Sequence, residues 1–125
     1  MTVVTDADGT VLWRGGAPEV LGRADQAGFV LGALWDLEHA GVGGIALALA
    51  TGRTVHVCRW EHSVHDQQGL SCAAAPVRDP RDGRVLCVLN LTGTRTTVPQ
   101  GMLRAINTLA FKVHQQLRTL YLAME

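Results

Sequence analysis

The chain has 125 residues, of which 47% are hydrophobic, 18% are charged and 14 in number are glycine. This composition suits one compact domain with a core of modest size rather than a disordered segment. Because 11 Lys and Arg residues balance 11 Asp and Glu residues, and nucleic-acid-binding modules usually carry a basic patch, we expect no direct nucleic-acid contact by this domain.

The sequence lacks the features of a membrane or secreted protein. No apolar run approaches the roughly 18 residues of a transmembrane helix, and no basic region followed by an apolar stretch opens the chain. Its three cysteines, Cys58, Cys72 and Cys87, are an odd number, which argues against a disulfide framework. We therefore expect a cytoplasmic protein with reduced thiols and no membrane contact.

The first elements in the chain are predicted to be a hairpin and a short helix. Thr2–Thr5 and Thr10–Arg14 are β-prone runs on either side of the turn signal Asp6-Ala7-Asp8-Gly9. Pro18 is well placed in a first helical turn, and Gly22 is predicted to end that helix after one or two turns.

A second helix and a strand are predicted in the middle of the chain, after an apolar stretch that contains Trp35. Val42–Thr51 is rich in Ala and Leu, which indicates a short buried helix, and Gly52 is predicted to end it. Thr54–Arg59 alternates between two faces and is predicted to be a strand. Trp60–Gln68 is mostly polar and is predicted to be a loop or a helical turn.

The next stretch predicts a β-hairpin at the centre of a sheet. Ser71–Arg78 and Arg84–Thr92 suit strands, and Asp79-Pro80-Arg81-Asp82-Gly83 between them favours a chain reversal. The second strand carries apolar side chains on both of its faces. We therefore expect it to be a central strand that is covered at least partly on both sides.

The last predicted element is a long helix, roughly Pro99 to Met124, with apolar residues at a 3.5-residue repeat. The residues of this seam are Leu103, Ile106, Ala110, Val113, Leu117, Leu120 and Met124. One interpretation is that its first half only packs on the sheet of its own domain. A helix that rises ~1.5 Å per residue should overrun a small domain, however. We therefore favour a homodimer contact through the C-terminal helix, residues 98–125.

An ordered set of motifs runs through the central hairpin and the segments before it. The set consists of Ala48–Val55, Glu61-His62, Leu70–Asp79, Asp82–Arg84 and Val88–Gly93. It resembles GAF domains, most of all those at the N-terminus of bacterial transcription activators of the acetoin catabolism regulator type. The resemblance implies an α+β fold, with a GAF/PAS-like antiparallel sheet of about five or six strands flanked by helices. Residues 1–125 would then form a single sensor domain.

The resemblance also implies a pocket for a small-molecule effector between the sheet and the segment Trp35–Thr51. Such a pocket needs an apolar lining with a few polar groups, and the candidate ligand-binding residues are Trp35, His39, His56, Trp60, His62 and Cys72. The alternative is that the tryptophans are ordinary core residues. Two departures from the subgroup bear on this pocket, since Gly41–Leu49 lacks the usual polar residues and Asn90 stands where an aspartate is usual.

Metal binding and catalysis have weaker support in the sequence. Zinc-binding residue types occur at His56, Cys58, His62, His65 and Cys72. Their spacing matches no recognised metal site, so we predict no metal, and no cofactor is assigned. No nucleophile elbow, phosphate loop or paired-carboxylate motif is present. We therefore predict a protein that is not an enzyme.

The function predicted from the sequence is a ligand-sensing and dimerising GAF domain of a bacterial transcriptional regulator. A small-molecule effector would bind in the pocket, and the C-terminal helix would pass the signal on. Two alternatives stay open. One is a ligand-free GAF-like dimerisation module, which the lost polar residues favour, and the other is a cysteine-dependent reductase of GAF fold.

Overall fold

The computed structural model describes residues 1–40, 43–57, 70–94 and 99–125. The elements are β1 (Thr2–Asp6), β2 (Val11–Gly15), α1 (Pro18–Gln26), α2 (Leu37–Ala40), α3 (Gly44–Thr51), β3 (Val55–Val57), β4 (Leu70–Arg78), β5 (Val85–Thr94) and α4 (Pro99–Met124). The five strands form one antiparallel sheet in the order β2-β1-β5-β4-β3, so β2 and β3 are its edges. The loop predicted at Trp60–Gln68 lies outside the described residues.

The hairpin of β4 and β5 forms the middle of the sheet, as predicted. Strand β5 pairs with β4 along one edge and with β1 along the other. The turn is closed by two backbone hydrogen bonds, from the Asp79 N–H to the Arg84 carbonyl at 2.7 Å and from the Gly83 N–H to the Asp79 carbonyl at 2.8 Å. Gly83 has a φ of 77°, which only glycine adopts without strain.

Helices cover both faces of this sheet and create two apolar clusters. On the first face, α1 and α3 pack with the strands around Val3, Val11, Ala24, Phe29, Trp35, Ile45, Ala48, Ala74 and Val88. On the second face, α4 packs around Ala73, Ala75, Val77, Leu89, Met102 and Ile106. Strand β5 contributes Val88 to the first cluster and Leu89 to the second, which confirms that it is a central strand covered on both sides.

The predicted end of the first helix is wrong. Helix α1 continues through Gly22 to Gln26, and its chain reversal comes at Gly28, which has a φ of 78°. Gly22 lies on an open side of the helix, where a Cβ added to it would have nothing within 4 Å. A glycine inside a helix costs only about 0.5–1 kcal/mol. Burial of Ala24 and Phe29, which are 0% and 1% exposed, offsets that cost.

The seam of α4 divides into two parts. Ile106 is fully buried, and Leu103, Ala110, Val113 and Leu117 pack against the cluster on the sheet. Beyond them, Leu120 is 56% exposed and Met124 is 78% exposed. The part of the seam up to Leu117 therefore packs on the sheet of its own domain, and the dimer contact stays a prediction. No helix in the described part of the chain is long and apolar enough to cross a membrane.

Candidate functional site

A small cavity lies between the first turn of α3 and the sheet face that α3 covers. Its described lining consists of Phe29, Trp35, Gly43, Gly44, Ile45, Ala46, Cys72 and Asn90. The empty volume is about 250 Å³ including the mouth, and the interior admits about one water molecule. All eight of these lining residues carry uncharged side chains, so the described wall suits an uncharged occupant.

A buried row of polar side chains forms the floor of this cavity. Cys72 on β4 pairs with Thr92 on β5, and Asn90 lies two residues before Thr92 on the same face. Asn90 Nδ2 donates to Thr92 Oγ1 at 2.7 Å, and Thr92 Oγ1 lies 3.4 Å from Cys72 Sγ. The three residues are at most 3% exposed. A polar row in the centre of a sheet is costly to bury, so each of its hydrogen-bonding groups needs a partner.

Two buried polar atoms that belong to residues lining the cavity have no hydrogen-bond partner among the described residues. They are the indole Nε1 of Trp35 and the amide Oδ1 of Asn90. The Trp35 ring is itself held in place by Phe29, with ring centroids 4.6 Å apart. Nε1–H can only donate and Oδ1 can only accept. The cavity therefore offers an occupant one donor and one acceptor on a mostly apolar wall.

The first turn of α3 comes unusually close to the sheet because it begins with glycine. A Cβ at Gly44 would lie 3.2 Å from Asn90 Oδ1, 3.2 Å from Cys72 Cβ and 3.5 Å from Ala74 Cβ. The N-cap residue Gly43 provides no side-chain cap, so the N–H groups of the first turn lack the acceptor that Ser or Asp would supply. Because Gly44 has no Cβ and Ala74 is small, the N-terminus of α3 can form one wall of the cavity.

Comparison with known proteins identifies the family. Residues 1–110 match the family described as MimR, N-terminal domain. The chain belongs to this family. A relative from Mycolicibacterium smegmatis, the propane 2-monooxygenase operon transcriptional activator MimR, is 41% identical over 91 residues, which cover 72% of this chain and 16% of the relative.

Two further relatives of this MimR-family domain extend the comparison. The acetoin catabolism regulatory protein of Cupriavidus necator is 30% identical over 104 residues, 82% of this chain and 16% of the relative. An uncharacterized 47.3 kDa protein of Rhodococcus erythropolis, from the thcA 5' region, is 36% identical over 104 residues, 80% of this chain and 23% of the relative. The chain thus spans less than a quarter of the length of these curated relatives.

A solved structure has the same fold as this MimR-family domain. The E. coli DhaR(N)–DhaL complex contains a chain that matches 98% of this chain with a TM-score of 0.92, at 22% identity and over 42% of that chain. This match confirms the α+β, GAF-like fold, and the family confirms the resemblance to activators of the acetoin catabolism regulator type. The chain is therefore placed among the N-terminal domains of the MimR family, relatives of which are transcriptional activators.

The structure brings some of the predicted site residues of this MimR-family domain together. Trp35 and Cys72 both line the cavity. His56 is instead paired with Ala73, whose side chain belongs to the cluster under α4. Since paired residues of neighbouring strands share a face, His56 lies on the face opposite the cavity. Asn90 and Phe29 line the cavity although the sequence did not single them out as ligand-binding residues.

The other predicted site residues are not described in enough detail to place them. His39 lies in α2, but its side chain is outside what the structure describes. Trp60 and His62 lie outside the described residues altogether, as do Cys58 and His65 of the zinc-binding residue types. Their roles therefore stay predictions.

Cys72 has the properties of a core thiol in this MimR-family domain. Burial raises the pKa of Cys72 to about 11, while side-chain hydrogen bonds with Thr92 and Asn90 act in the opposite direction. The nucleophile in cysteine chemistry is the thiolate, and at neutral pH Cys72 is a neutral thiol. Burial likewise raises the pKa of Cys87, which lies with the α4 cluster on the other face. Neither of these two described thiols is activated, so neither suits the nucleophile of a cysteine-dependent reductase.

Proposed function

We propose that this MimR-family domain senses a small uncharged effector that binds in the cavity beside α3. The observation that carries the proposal is that Trp35 and Asn90, which line one cavity, each hold a buried polar atom without a partner among the described residues, Nε1 and Oδ1 respectively. Buried polar atoms are nearly always hydrogen-bonded in native proteins, so each exception calls for an explanation. A ligand that pairs with both atoms supplies that explanation.

The chemistry of the wall limits what this effector can be. A charged ligand would be buried against uncharged side chains and a protonated Cys72 thiol. Within the described lining, the only charge beside it would be the partial positive charge of the α3 N-terminus, so its burial is costly without a full counter-charge. An uncharged molecule with an oxygen that accepts from the Trp35 indole and a polar hydrogen that pairs with Asn90 fits both atoms. Its remaining atoms would contact Phe29 and Ile45, so they should be apolar.

Binding would act on α3, because the cavity is too small for most effectors as it stands. Its interior admits about one water molecule, so a larger ligand must displace the first turn of α3. A ligand shifts a conformational equilibrium only by its differential affinity for the two states. Here the ligand would bind the state in which the first turn of α3 is displaced. We infer that α4 passes this change to the rest of a longer activator.

The test is thermal unfolding of the domain with a panel of small uncharged alcohols, diols and amides, which carry both an acceptor oxygen and a polar hydrogen. A ligand present at 100 times its Kd stabilises the fold by about 2.7 kcal/mol, which raises the midpoint measurably. The variant Trp35→Phe keeps an aromatic ring and removes the N–H donor, so it should lose most of this shift. Trp13→Phe is the matched control, because Trp13 is 54% exposed and does not line the cavity.

Two results would contradict the proposal. One is a panel in which no compound raises the midpoint. The other is a stabilising compound whose effect is the same in the wild type and in Trp35→Phe, because that compound would bind elsewhere.

A second candidate function is a ligand-free dimerisation module. The small interior of the cavity favours it, since one water molecule could pair with both polar atoms. The exposed Leu120 and Met124 at the end of α4 favour a contact with a second copy. A domain that is a dimer in solution and responds to no member of the ligand panel would fit this function instead.

A further inference from the structure

Arg78, the last residue of β4, connects the helices on the two faces of the sheet. Its guanidinium Nη2 donates to the carbonyl oxygen of Gly52 at 2.9 Å, and Gly52 is the C-cap of α3. Its own carbonyl oxygen lies 3.0 Å from Nδ1 of His114 on α4. Because a carbonyl oxygen can only accept, His114 must donate from Nδ1. One residue therefore contacts both α3 and α4.

The backbone around Arg78 is shaped for this contact. The register between β4 and β5 shifts between Val77 and Arg78, and such bulges re-aim a side chain. A second bond, from Nη1 to the Gly83 carbonyl at 2.8 Å, holds the guanidinium in one orientation. A Cβ at Gly52 would lie 2.5 Å from Nη2, so a side chain at that position would push the end of the arginine away from the carbonyl.

The opposite end of α3 forms the wall of the cavity. Helix α3 has eight residues, so its two ends are only about 12 Å apart at ~1.5 Å per residue. Gly44 lies at the cavity and Gly52 lies at Arg78. A short helix moves as a rigid unit because its internal hydrogen bonds resist bending. Displacement at Gly44 is therefore expected to reach the Gly52 carbonyl and the guanidinium bound to it.

The same hairpin end contacts α4 a second time. The Arg81 guanidinium lies 3.9 Å from the centre of the Tyr121 ring, and Asp79 holds it through bonds of 3.1 and 3.0 Å. These bonds with Arg81 lower the pKa of Asp79, so the carboxylate is ionised at neutral pH. Tyr121 follows His114 by seven residues, which is about two helical turns, so both lie on one side of α4.

We propose that Arg78 is a positioning residue that couples α3 to α4. A shift of α3 at the cavity changes the Arg78 contact with Gly52 and, through the Arg78 carbonyl, the packing of α4 at His114. The inference deepens the proposed function, since it supplies the route from an effector in the cavity to the C-terminal helix. It concerns the route alone, however, so it can be tested without an effector.

The test uses Gly44→Ala to move α3 without any ligand. The added Cβ would lie 3.2 Å from Cys72 Cβ, an atom fixed on a central strand, so α3 must give way. Amide hydrogen exchange is then compared over residues 107–117 of α4 in the wild type, Gly44→Ala, Arg78→Met and the double variant. We expect Gly44→Ala to change the amide exchange rates around His114 by about threefold. In the Arg78→Met background the same substitution should leave these rates nearly unchanged.

Arg84→Met and Arg78→Lys complete the design. Arg84 is an exposed cation in the same turn, so its loss should leave the response of α4 to Gly44→Ala intact. Lysine keeps the charge at position 78 but cannot bond two carbonyls with one planar group, so Arg78→Lys should transmit only part of the response. It also replaces Arg78→Met in the comparison if that variant fails to fold.

Two results would overturn the inference. One is an equal response of α4 to Gly44→Ala with and without the arginine at position 78, which would mean that the sheet itself carries the change. The other is no response of α4 in the wild-type background. Neither result depends on the ligand panel, so failure of the coupling and failure of effector binding are distinguishable.

Discussion

Replacement of Asn90 by leucine should stabilise the fold and remove effector binding. Asn90 is 1% exposed, and its Oδ1 has no partner among the described residues. Leaving such an atom buried costs about 1–3 kcal/mol, whereas the bond that Nδ2 donates to Thr92 is worth about 0.5–1.5 kcal/mol. Leucine removes both the unpaired oxygen and the bond to Thr92. It has the same number of side-chain heavy atoms as asparagine, and the adjoining cavity can take its slightly larger volume. We expect a gain of about 1 kcal/mol, or roughly 3–5 °C in Tm.

Thr92→Val is the matched variant on the same strand and face. It keeps the shape of the side chain but removes the hydroxyl that accepts from Asn90, which leaves Nδ2 buried and unpaired. We expect it to destabilise the fold by about 1–2 kcal/mol. Urea unfolding gives both values, and an unchanged m value shows that the variants unfold from comparable states.

The two variants should therefore move stability in opposite directions. If Asn90→Leu instead destabilised the fold by more than about 1 kcal/mol, Asn90 would be a satisfied structural residue. The polar pair at the cavity would then be no indication of a ligand site.

Three other predictions concern the second face of the sheet, the end of α4 and the buried thiol. Ile106→Ala should lower the free energy of unfolding, measured in urea, by about 2–5 kcal/mol, because Ile106 is 0% exposed. A change below about 1 kcal/mol would contradict the packing of α4 on the sheet. Leu120→Glu combined with Met124→Glu should convert a dimer to a monomer in analytical ultracentrifugation, and a dimer that persists would exclude this contact. The pKa of Cys72 is about 11 in the fold against a reference value of 9.0, so as the pH rises the unfolded chain loses the thiol proton before the folded one does. The free energy of unfolding of the wild type should therefore fall between pH 9 and pH 11. In Cys72→Ala it should fall less over the same range.

Elements with local signals were predicted well from the sequence. The β4–β5 hairpin depends on a turn with Asp79 and Gly83, and α3 ends at Gly52, whose φ of 66° matches a left-handed cap. Helix α1 was predicted too short because Gly22 is a local stop signal, while the burial of Ala24 is a tertiary effect that no local pattern shows. The pairing of β1 with β5 joins residues far apart in sequence, so no local pattern predicts it.

The sequence predicts only part of the cavity lining, and the ligand-binding roles of the lining residues stay predictions. Of the candidate residues, Trp35 and Cys72 line the cavity. His56 was selected for its chemistry, yet the alternation of β3 already separates it from Val55 and Val57, and Val55 packs with the cavity-side cluster. Asn90 carried a usable signal, since a polar side chain on a strand covered on both faces must be buried and needs a partner.

The two faces of the sheet differ in a way that suits a switch. The face under α4 is closely packed around Leu89 and Ile106, which are at most 4% exposed, so it supplies stability that does not depend on a ligand. The cavity face retains two buried polar atoms without described partners, on Trp35 and Asn90, and each costs about 1–3 kcal/mol. An effector that pairs with both removes this cost only in the state that holds it. Such an effector would bind the conformation that accommodates it more tightly than the other, and a ligand needs this differential affinity to shift a conformational equilibrium.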